Sequence, residues 1–506
     1  MMKMTPKLKL TLFLLIGFLV ASCATQAPIA VYVTPTLQPS QSLSLSETTS
    51  DVVDLPSGSA SGFTLTSMQT GPTVEPHPTV TWLGPVVGPG YSLPPSSTPQ
   101  PTLAPTTVPG QPSATSAPAA SPAPQGTATL YPAVMPNLDP TKMGIQVEGN
   151  LDQADWDEVM RRVSGDQLNL GWIKLQIAWK DLQPNGPGEI SPFFQRIIFY
   201  MQDAQRHKLH ILLSIAKAPA WARSTQDQDG PPDDPQTYAT FLTQLIGQLQ
   251  GAVDAIEIWN EPNLSSEWTG KLPFSGAGYM QLFDAGYKAI RAASPSLTIV
   301  TAGLSPTGDS SGTVDDRKFL QQMYAAGLGN YHDIAIGVHP YGWANPPDAT
   351  CCGTKGWDND PHFFFGDTLN AYHQMMDANG QSNQQLWVTE FGWPTWDGFP
   401  GQPPAADAWI TRNTKWDQAN YAIRAFQIGQ QTPYIGPMFL WNLNFALLAG
   451  MVKSGDEQAA YSIVIPGQNE VLDPNSTVDG PKGITERPLY WMIYDAVRPN
   501  TQLPSY

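Results

Sequence analysis

Two glutamates hold the most chemistry in this sequence. The run Ala255-Ile256-Glu257-Ile258-Trp259 is largely apolar and ends in Asn260-Glu261, where Pro262 stops it. A second apolar run, Leu386-Trp387-Val388-Thr389, delivers Glu390 and is followed by Phe391-Gly392-Trp393. Each reads as a buried strand with a carboxyl group at its C-terminal tip. In an α/β barrel that tip faces the mouth, where such folds keep their reactive groups. Two carboxyls there can divide the work. A protonated one gives its proton to a leaving oxygen, and an ionised one attacks the carbon that oxygen leaves. Cleavage of a glycosidic bond by two carboxylates has this requirement. Mutual repulsion helps raise the acid's pKa toward working pH. A lone glutamate at a strand end is ordinarily a solvated loop acid, but two of them, each in an aromatic-flanked motif, are poorly explained that way.

The elements that must position these groups can be traced along the chain. Eight strand-like runs are expected: 143–147, 172–178, 210–214, 255–259, 298–302, 334–338, 386–389 and 437–441. Between them lie amphipathic segments with the 3.6-residue period of helices that lay one face on a sheet: 156–163, 192–207, 235–249, 279–293, 317–326 and 421–430. The segment 363–376 is more weakly periodic, and 488–497 supplies the closing helix. Alternating strands and helices read as parallel βα units, hence an α/β chain folded as a (β/α)8 barrel. Glu261 and Glu390 lie 390 − 261 = 129 residues apart, which suits three intervening units.

With Asn260-Glu261 ending strand 4 and Glu390 ending strand 7, the sequence resembles the clan A glycoside hydrolases, retaining (β/α)8-barrel enzymes that include families 5 and 39. The resemblance covers roughly residues 143–497. It implies an O-glycosyl hydrolase acting on β-linked poly- or oligosaccharides by double displacement, with Glu261 as acid/base and Glu390 as nucleophile. It further implies that Asn260 binds the sugar 2-hydroxyl, that Tyr341 touches the nucleophile, that His339 meets sugar or the acid/base, and that Trp441 floors the subsite of the cleaved sugar. Lys174 stands in the strand-2 run where family 5 commonly has an Arg; it supplies charge but not the bidentate fork. Trp179 and Trp393 also follow strand ends, and for each, sugar contact and ordinary packing stay equally open, as they do for Trp221, Trp268 and Trp396. Two other readings use the same residues: an inactive glycan-binding surface barrel, and a transglycosylase.

The rest of the composition bounds the context. The formal net charge is −17, which argues against a nucleic-acid partner because no basic patch is available to displace counterions. Residues 1–22 read as a signal: Lys3, Lys7 and Lys9 precede the apolar run 10–20, too short for a permanent membrane helix. The run ends in Val20-Ala21-Ser22-Cys23, which resembles a bacterial lipoprotein signal and implies a lipid on Cys23. The expected location is the outer side of a bacterial membrane or the cell surface. Residues 23–140 are rich in Pro, Ser and Thr, with no Lys or Arg between Ala24 and Thr141. Such a segment buries too little apolar area to order itself and is expected to be a disordered tether, leaving 141–500 as the barrel domain. Cys351 and Cys352 are adjacent; outside the cytoplasm they can form a vicinal disulfide, against the alternative of two buried free thiols. No metal site is expected, since His332, His339 and His362 lack ligand spacing and neither H-E-x-x-H nor C-x-x-C occurs. No cofactor is implied, and the expected state is a monomer.

Overall fold

The computed structural model describes residues 135–353, 358–467 and 483–498. Cys23 and most of the expected tether lie outside the described residues. Eight strands pair in chain order, all in parallel, and the last returns to the first. They are β1 (Met143–Gln146), β2 (Trp172–Ala178), β3 (His210–Ala216), β4 (Ala255–Ile258), β5 (Thr298–Thr301), β6 (Ile334–Val338), β7 (Leu386–Phe391) and β8 (Ile435–Leu440). Each is followed by a helix: α1 (Gln153–Val163), α2 (Pro192–Arg206), α3 (Pro235–Leu249), α4 (Gly276–Ala293), α5 (Asp316–Ala325), α6 (Phe365–Ala378), α7 (Lys415–Gln431) and α8 (Pro488–Ala496). This is the expected (β/α)8 barrel, and the weakly periodic segment does form α6. A short antiparallel pair, β9 (Val464–Pro466) and β10 (Ile484–Glu486), precedes α8 and was not anticipated.

Local signals set the helices. Ser191 caps α2 by accepting from the Phe194 N–H, with Pro at the first turn, and Thr414 forms a capping box with Asp417 at α7; each cap contributes about 1 kcal/mol. α2 buries Phe194, Ile197, Tyr200, Met201 and Ala204, one stripe at helical spacing. Among the described residues, no helix is long and apolar enough to cross a membrane.

The strands alternate their side chains between the helices and the barrel interior. One parity, such as Ile173, Leu175, Ile211 and Leu213, joins the large core under the helices. The other parity fills the barrel in two layers of different chemistry. Trp172, Leu212, Ala255, Val300, Ala335, Trp387 and Phe439 form a separate apolar plug. Two residues further along β2, β3, β4 and β7, at Lys174, Ser214, Glu257 and Thr389, the interior turns polar, and every one of these side chains is fully buried. The plug thus supports a desolvated polar layer just below the C-terminal mouth. β7 departs from regular pairing with β8, with register shifts between Leu386 and Val388 and between Val388 and Phe391. Strict alternation from Trp387 and Thr389 would turn Glu390 toward the helices, and an irregularity of this kind re-aims a side chain. Glu390 therefore sits within β7, where the sequence had suggested a position just past its end.

Candidate active site

Glu390 is 5 % exposed, and polar groups meet both of its carboxyl oxygens. The Lys174 ammonium donates to its Oε1 at 2.8 Å, and the Tyr341 hydroxyl donates to its Oε2 at 2.8 Å. With its amide oriented by its neighbours, Gln146 donates to Oε1 at 3.1 Å and accepts from the Trp441 indole N–H at 3.2 Å. His339 Nδ1 stands 3.7 Å from Oε2. Burial alone would raise the Glu390 pKa; Lys174 and His339, with the hydrogen bonds from Lys174 and Tyr341, outweigh it and hold the carboxyl below its ordinary value. The group is kept ionised in a desolvated place.

Glu261 lies across from it. β4 ends at Ile258, and the chain then turns through two left-handed residues, Trp259 (φ 77°) and Glu261 itself (φ 42°). Non-glycine residues held there store about 1–3 kcal/mol each, and such strain gathers at functional sites. The turn is anchored by the Glu261 N–H, which donates to the Gly303 carbonyl at 3.0 Å. His339 Nδ1 is 3.1 Å from Glu261 Oε1, and oxygens of Glu261 and Glu390 lie with that nitrogen inside 4.8 Å of one another. His339 is fully buried; burial lowers its pKa, but Glu390 and Glu261 together raise it above the ordinary value. Its ring presses on Gly303, where a Cβ would collide with Cδ2 and Nε2, so this position requires glycine.

Two acids were missed by the sequence reading. Glu257, inside β4, is fully buried and faces the Lys174 ammonium at 3.2 Å, while accepting from the Gly303 N–H at 3.0 Å. Lys174 is therefore shared between Glu257 and Glu390. Burial opposes its charge, yet the two carboxylates raise its pKa. Glu267, in the loop after β4, pairs with Lys217 at 3.2 Å. Burial pushes its pKa up to about 7, with Lys217 opposing and the charge of Glu261 adding to the rise.

The remaining expected residues divide. Asn260 is 5 % exposed and its Oδ1 accepts no hydrogen bond, leaving a polar atom unsatisfied beside Glu261. Trp441 is half-buried beside the Tyr341, Phe445 and Tyr461 rings, at the edge of the Glu390 pocket. Trp179 and Trp393 are core residues and not part of a cleft. Trp179 is fully buried, stacked on Phe241 with its N–H donated to Gln183. Trp393 is 1 % exposed, packed on Phe365 and Tyr421, with its N–H on the Asn345 carbonyl. Trp268 and Trp396 are likewise buried. The half-buried aromatics near the mouth include Trp343 and Trp409, stacked at 5.0 Å, and nothing in their sequence spacing had singled them out.

Cys351 and Cys352 lie side by side in the loop after β6, with Cα atoms 3.0 Å apart, and the Cys351 N–H donates to Asp367 in the first turn of α6 at 2.7 Å. Titration of the denatured, unreduced protein should find no free thiol at these two positions; two reactive thiols there would mean the pair is unbonded.

The arrangement can donate a proton at Glu261, attack at Glu390 and hold a polar substrate group at Asn260. Lys174→Met tests the electrostatics. Glu390 has a depressed pKa, so its ionised form, and the stability it confers, is present above the ordinary carboxyl value of about 4.3 and lost as pH falls through the folded value. The acid limb of kcat/KM should therefore lie below pH ~4.3 in the native protein. Removing Lys174 leaves burial less opposed, so the limb should move upward and activity at pH 5 should drop by about tenfold or more. The variant also strands Glu257, at a cost of about 3–5 kcal/mol. An unmoved limb in folded Lys174→Met would take Lys174 out of this role.

No protein-family model and no curated protein matches the sequence. Solved structures match in fold. A family 39 glycoside hydrolase from the gut symbiont Bacteroides cellulosilyticus superposes with a TM-score of 0.51 at 17% identity, over 72% of this chain and 65% of that one. The match thus spans less than two thirds of that protein. The catalytic domain of a family 30 xylanase from Talaromyces cellulolyticus gives 0.41 at 15% identity over 72% and 76% of the two chains. An endo-β1,6-glucanase gives 0.44 at 15% over 74% and 79%. At such identities the first of these likenesses supports the barrel fold, and the activity has to be argued from the site.

Proposed function

We propose that this chain is a retaining glycoside hydrolase that cleaves β-linked poly- or oligosaccharides by double displacement. The observation that carries the reading is the placement of Glu390, buried and held ionised between Lys174 and Tyr341, with an oxygen of Glu261 inside 4.8 Å. That proximity suits the carboxyl separation of about 5–5.5 Å in retaining enzymes better than the roughly 6.5–9.5 Å that leaves room for water in inverting ones. In the first step Glu390 attacks the anomeric carbon while Glu261 gives its proton to the glycosidic oxygen, which departs as the alcohol. The sugar is then esterified to Glu390. In the second step Glu261, now a carboxylate, takes a proton from water; the resulting hydroxyl attacks the anomeric carbon and Glu390 leaves, ionised again. Asn260, adjacent to Glu261 and with its Oδ1 unsatisfied, is the candidate partner of a sugar hydroxyl next to the reacting carbon, and the half-buried Trp441 offers an apolar face for the ring.

The signal-like segment ending at Cys23 supports an extracytoplasmic, lipid-anchored location. Activity should sediment with membranes and become soluble in Cys23→Ser; activity that stays in the cytoplasm would sink this part. A panel of aryl glycosides and polysaccharides tests the reaction itself. Turnover with net release of reducing ends supports hydrolysis. Longer oligosaccharides without reducing ends would make the chain a transglycosylase, and binding without turnover would make it a glycan-binding barrel.

A further inference from the structure

A second cluster of imidazole and carboxylate groups lies between two βα loops, away from the Glu390 pocket. Asp315 and Asp316 begin α5, and His362 sits in the short turn Pro361–Phe363 that leads into α6. His362 Nε2 is 2.9 Å from Asp315 Oδ2 and 3.6 Å from Asp316 Oδ1. The three groups offer ligand atoms that all lie within 4.8 Å of one another. Spacing along the chain hides this set, because Asp315 and His362 are 47 residues apart.

Two independent features point to a ligand. The Asp316 side chain is 1 % exposed. Its Oδ2 accepts from the Tyr372 hydroxyl at 2.9 Å, but its Oδ1, aimed toward His362 Nε2, accepts no hydrogen bond. A buried carboxylate oxygen left without a donor costs about 1–3 kcal/mol or more. The second feature is on the other side of the ring. His362 Nδ1 meets Asp360 Oδ1 at 2.6 Å. Without an ion the ring bridges the carboxylates, with Nε2 meeting Asp315 Oδ2 at 2.9 Å; an ion would take Nε2 in place of its proton while Asp360 holds Nδ1–H, the orienting arrangement common around metal-bound histidines. Charge agrees. Arg317 is the cation that acts on Asp316, and its own donor goes to the Pro361 carbonyl at 2.7 Å. With Nε2 given to the ion in place of its proton, Asp315 and Asp316 bring two negative charges, which a dication matches. Distance agrees as well: ligands each about 2.1 Å from a tetrahedral ion stand roughly 3.4 Å apart, and the 2.9 and 3.6 Å separations bracket that value.

We propose that Asp315, Asp316 and His362 bind one divalent transition-metal ion, zinc being the best match to one imidazole and two carboxylates. The ion fastens the loop after β5 to the loop after β6. The latter begins with His339 and Tyr341 and carries Cys351 and Cys352, so the ion stiffens the strap above the reaction site without touching substrate. The proposal does not rest on the hydrolase reading.

The test is Zn2+ binding to the full chain after removal of metals by EDTA, followed by calorimetric titration and metal analysis after dialysis. Glu261, His339 and Glu390 form another imidazole–carboxylate set, so Glu390→Gln serves as the control. One zinc should bind to the native protein and to Glu390→Gln alike, raising Tm by about 3–5 °C at a hundredfold excess over Kd. Asp316→Asn and His362→Gln should bind at least about tenfold more weakly and lose the Tm shift. Asp315→Asn keeps a helix-capping side chain and provides a folded variant if Asp316→Asn is unstable; it should weaken binding in the same way. No zinc bound by the native protein at micromolar concentration would overturn the site, leaving an ion-paired imidazolium. Binding lost in Glu390→Gln but retained in the loop variants would also overturn it, since the ion would then belong to the catalytic carboxylates.

Discussion

Glu390→Gln is expected to reduce turnover of any accepted glycoside by about 10⁴-fold or more, with little change in fold. The substitution keeps the side-chain shape, so Tyr341 and Gln146 can still meet it. On the proposed mechanism it replaces the anionic nucleophile with a neutral amide, and it removes the charge that Lys174 and His339 hold ionised in a buried setting. Lys174 keeps Glu257 as a partner at 3.2 Å, so the buried cation is not stranded and the variant should remain folded. A 2-fluoro glycoside of the correct sugar gives the direct readout. Fluorine slows hydrolysis of the glycosyl ester, so the native protein should accumulate a covalent adduct, and peptide mapping should find it on Glu390. A label on another residue, with Glu390 unmodified, would end the assignment. The same experiment separates activity from glycan binding, because a binding barrel forms no adduct.

The barrel was legible because its strands are buried on both faces and read as continuous apolar runs. β2 and β6 begin and end where their sequences suggest. Glu390 was legible together with its contact to Tyr341, which the resemblance implied; the backbone irregularity that aims it was not. The register shift in β7 that turns it toward Lys174 leaves no mark in composition. Glu257 did leave a signal, an acid inside an apolar strand, and Lys174 left the matching one on β2. What was missing was the closed topology that makes them face each other across the barrel. The tryptophans show the opposite limit. Trp179 and Trp393 sit beside strand ends just as Trp441 does, but only packing decides which face of a loop is core, and there Trp179 meets Phe241 and Trp393 meets Phe365 and Tyr421. The Asp315–Asp316–His362 group was invisible for a related reason. Its members come from neighbouring βα loops, and loop-to-loop proximity is set by the barrel rather than by sequence spacing.

Glu261→Ala is expected to split substrates by leaving group. A poor leaving group, such as a sugar hydroxyl, departs only if its oxygen is protonated, so its turnover should fall by about 10²–10⁴-fold. An activated aryl glycoside leaves as a stable phenolate and needs little help in the first step, so its glycosylation should be nearly unchanged. The second step still lacks a base to activate water. The glycosyl ester on Glu390 should therefore accumulate, giving a burst of phenol followed by slow release, and KM should fall with kcat. Azide needs no deprotonation and fits the space vacated by the carboxyl. It should restore steady-state turnover and yield the glycosyl azide with retained anomeric configuration. His339 refines the expectation. In the native protein its Nδ1 lies 3.1 Å from Glu261 and 3.7 Å from Glu390, so in Glu261→Ala it keeps the nucleophile's charge company and the acid limb of the profile should persist. Equal losses on activated and unactivated substrates, without azide rescue, would remove Glu261 from the acid/base role. The next group to test would then be Glu267, whose pKa of about 7 already suits a proton donor.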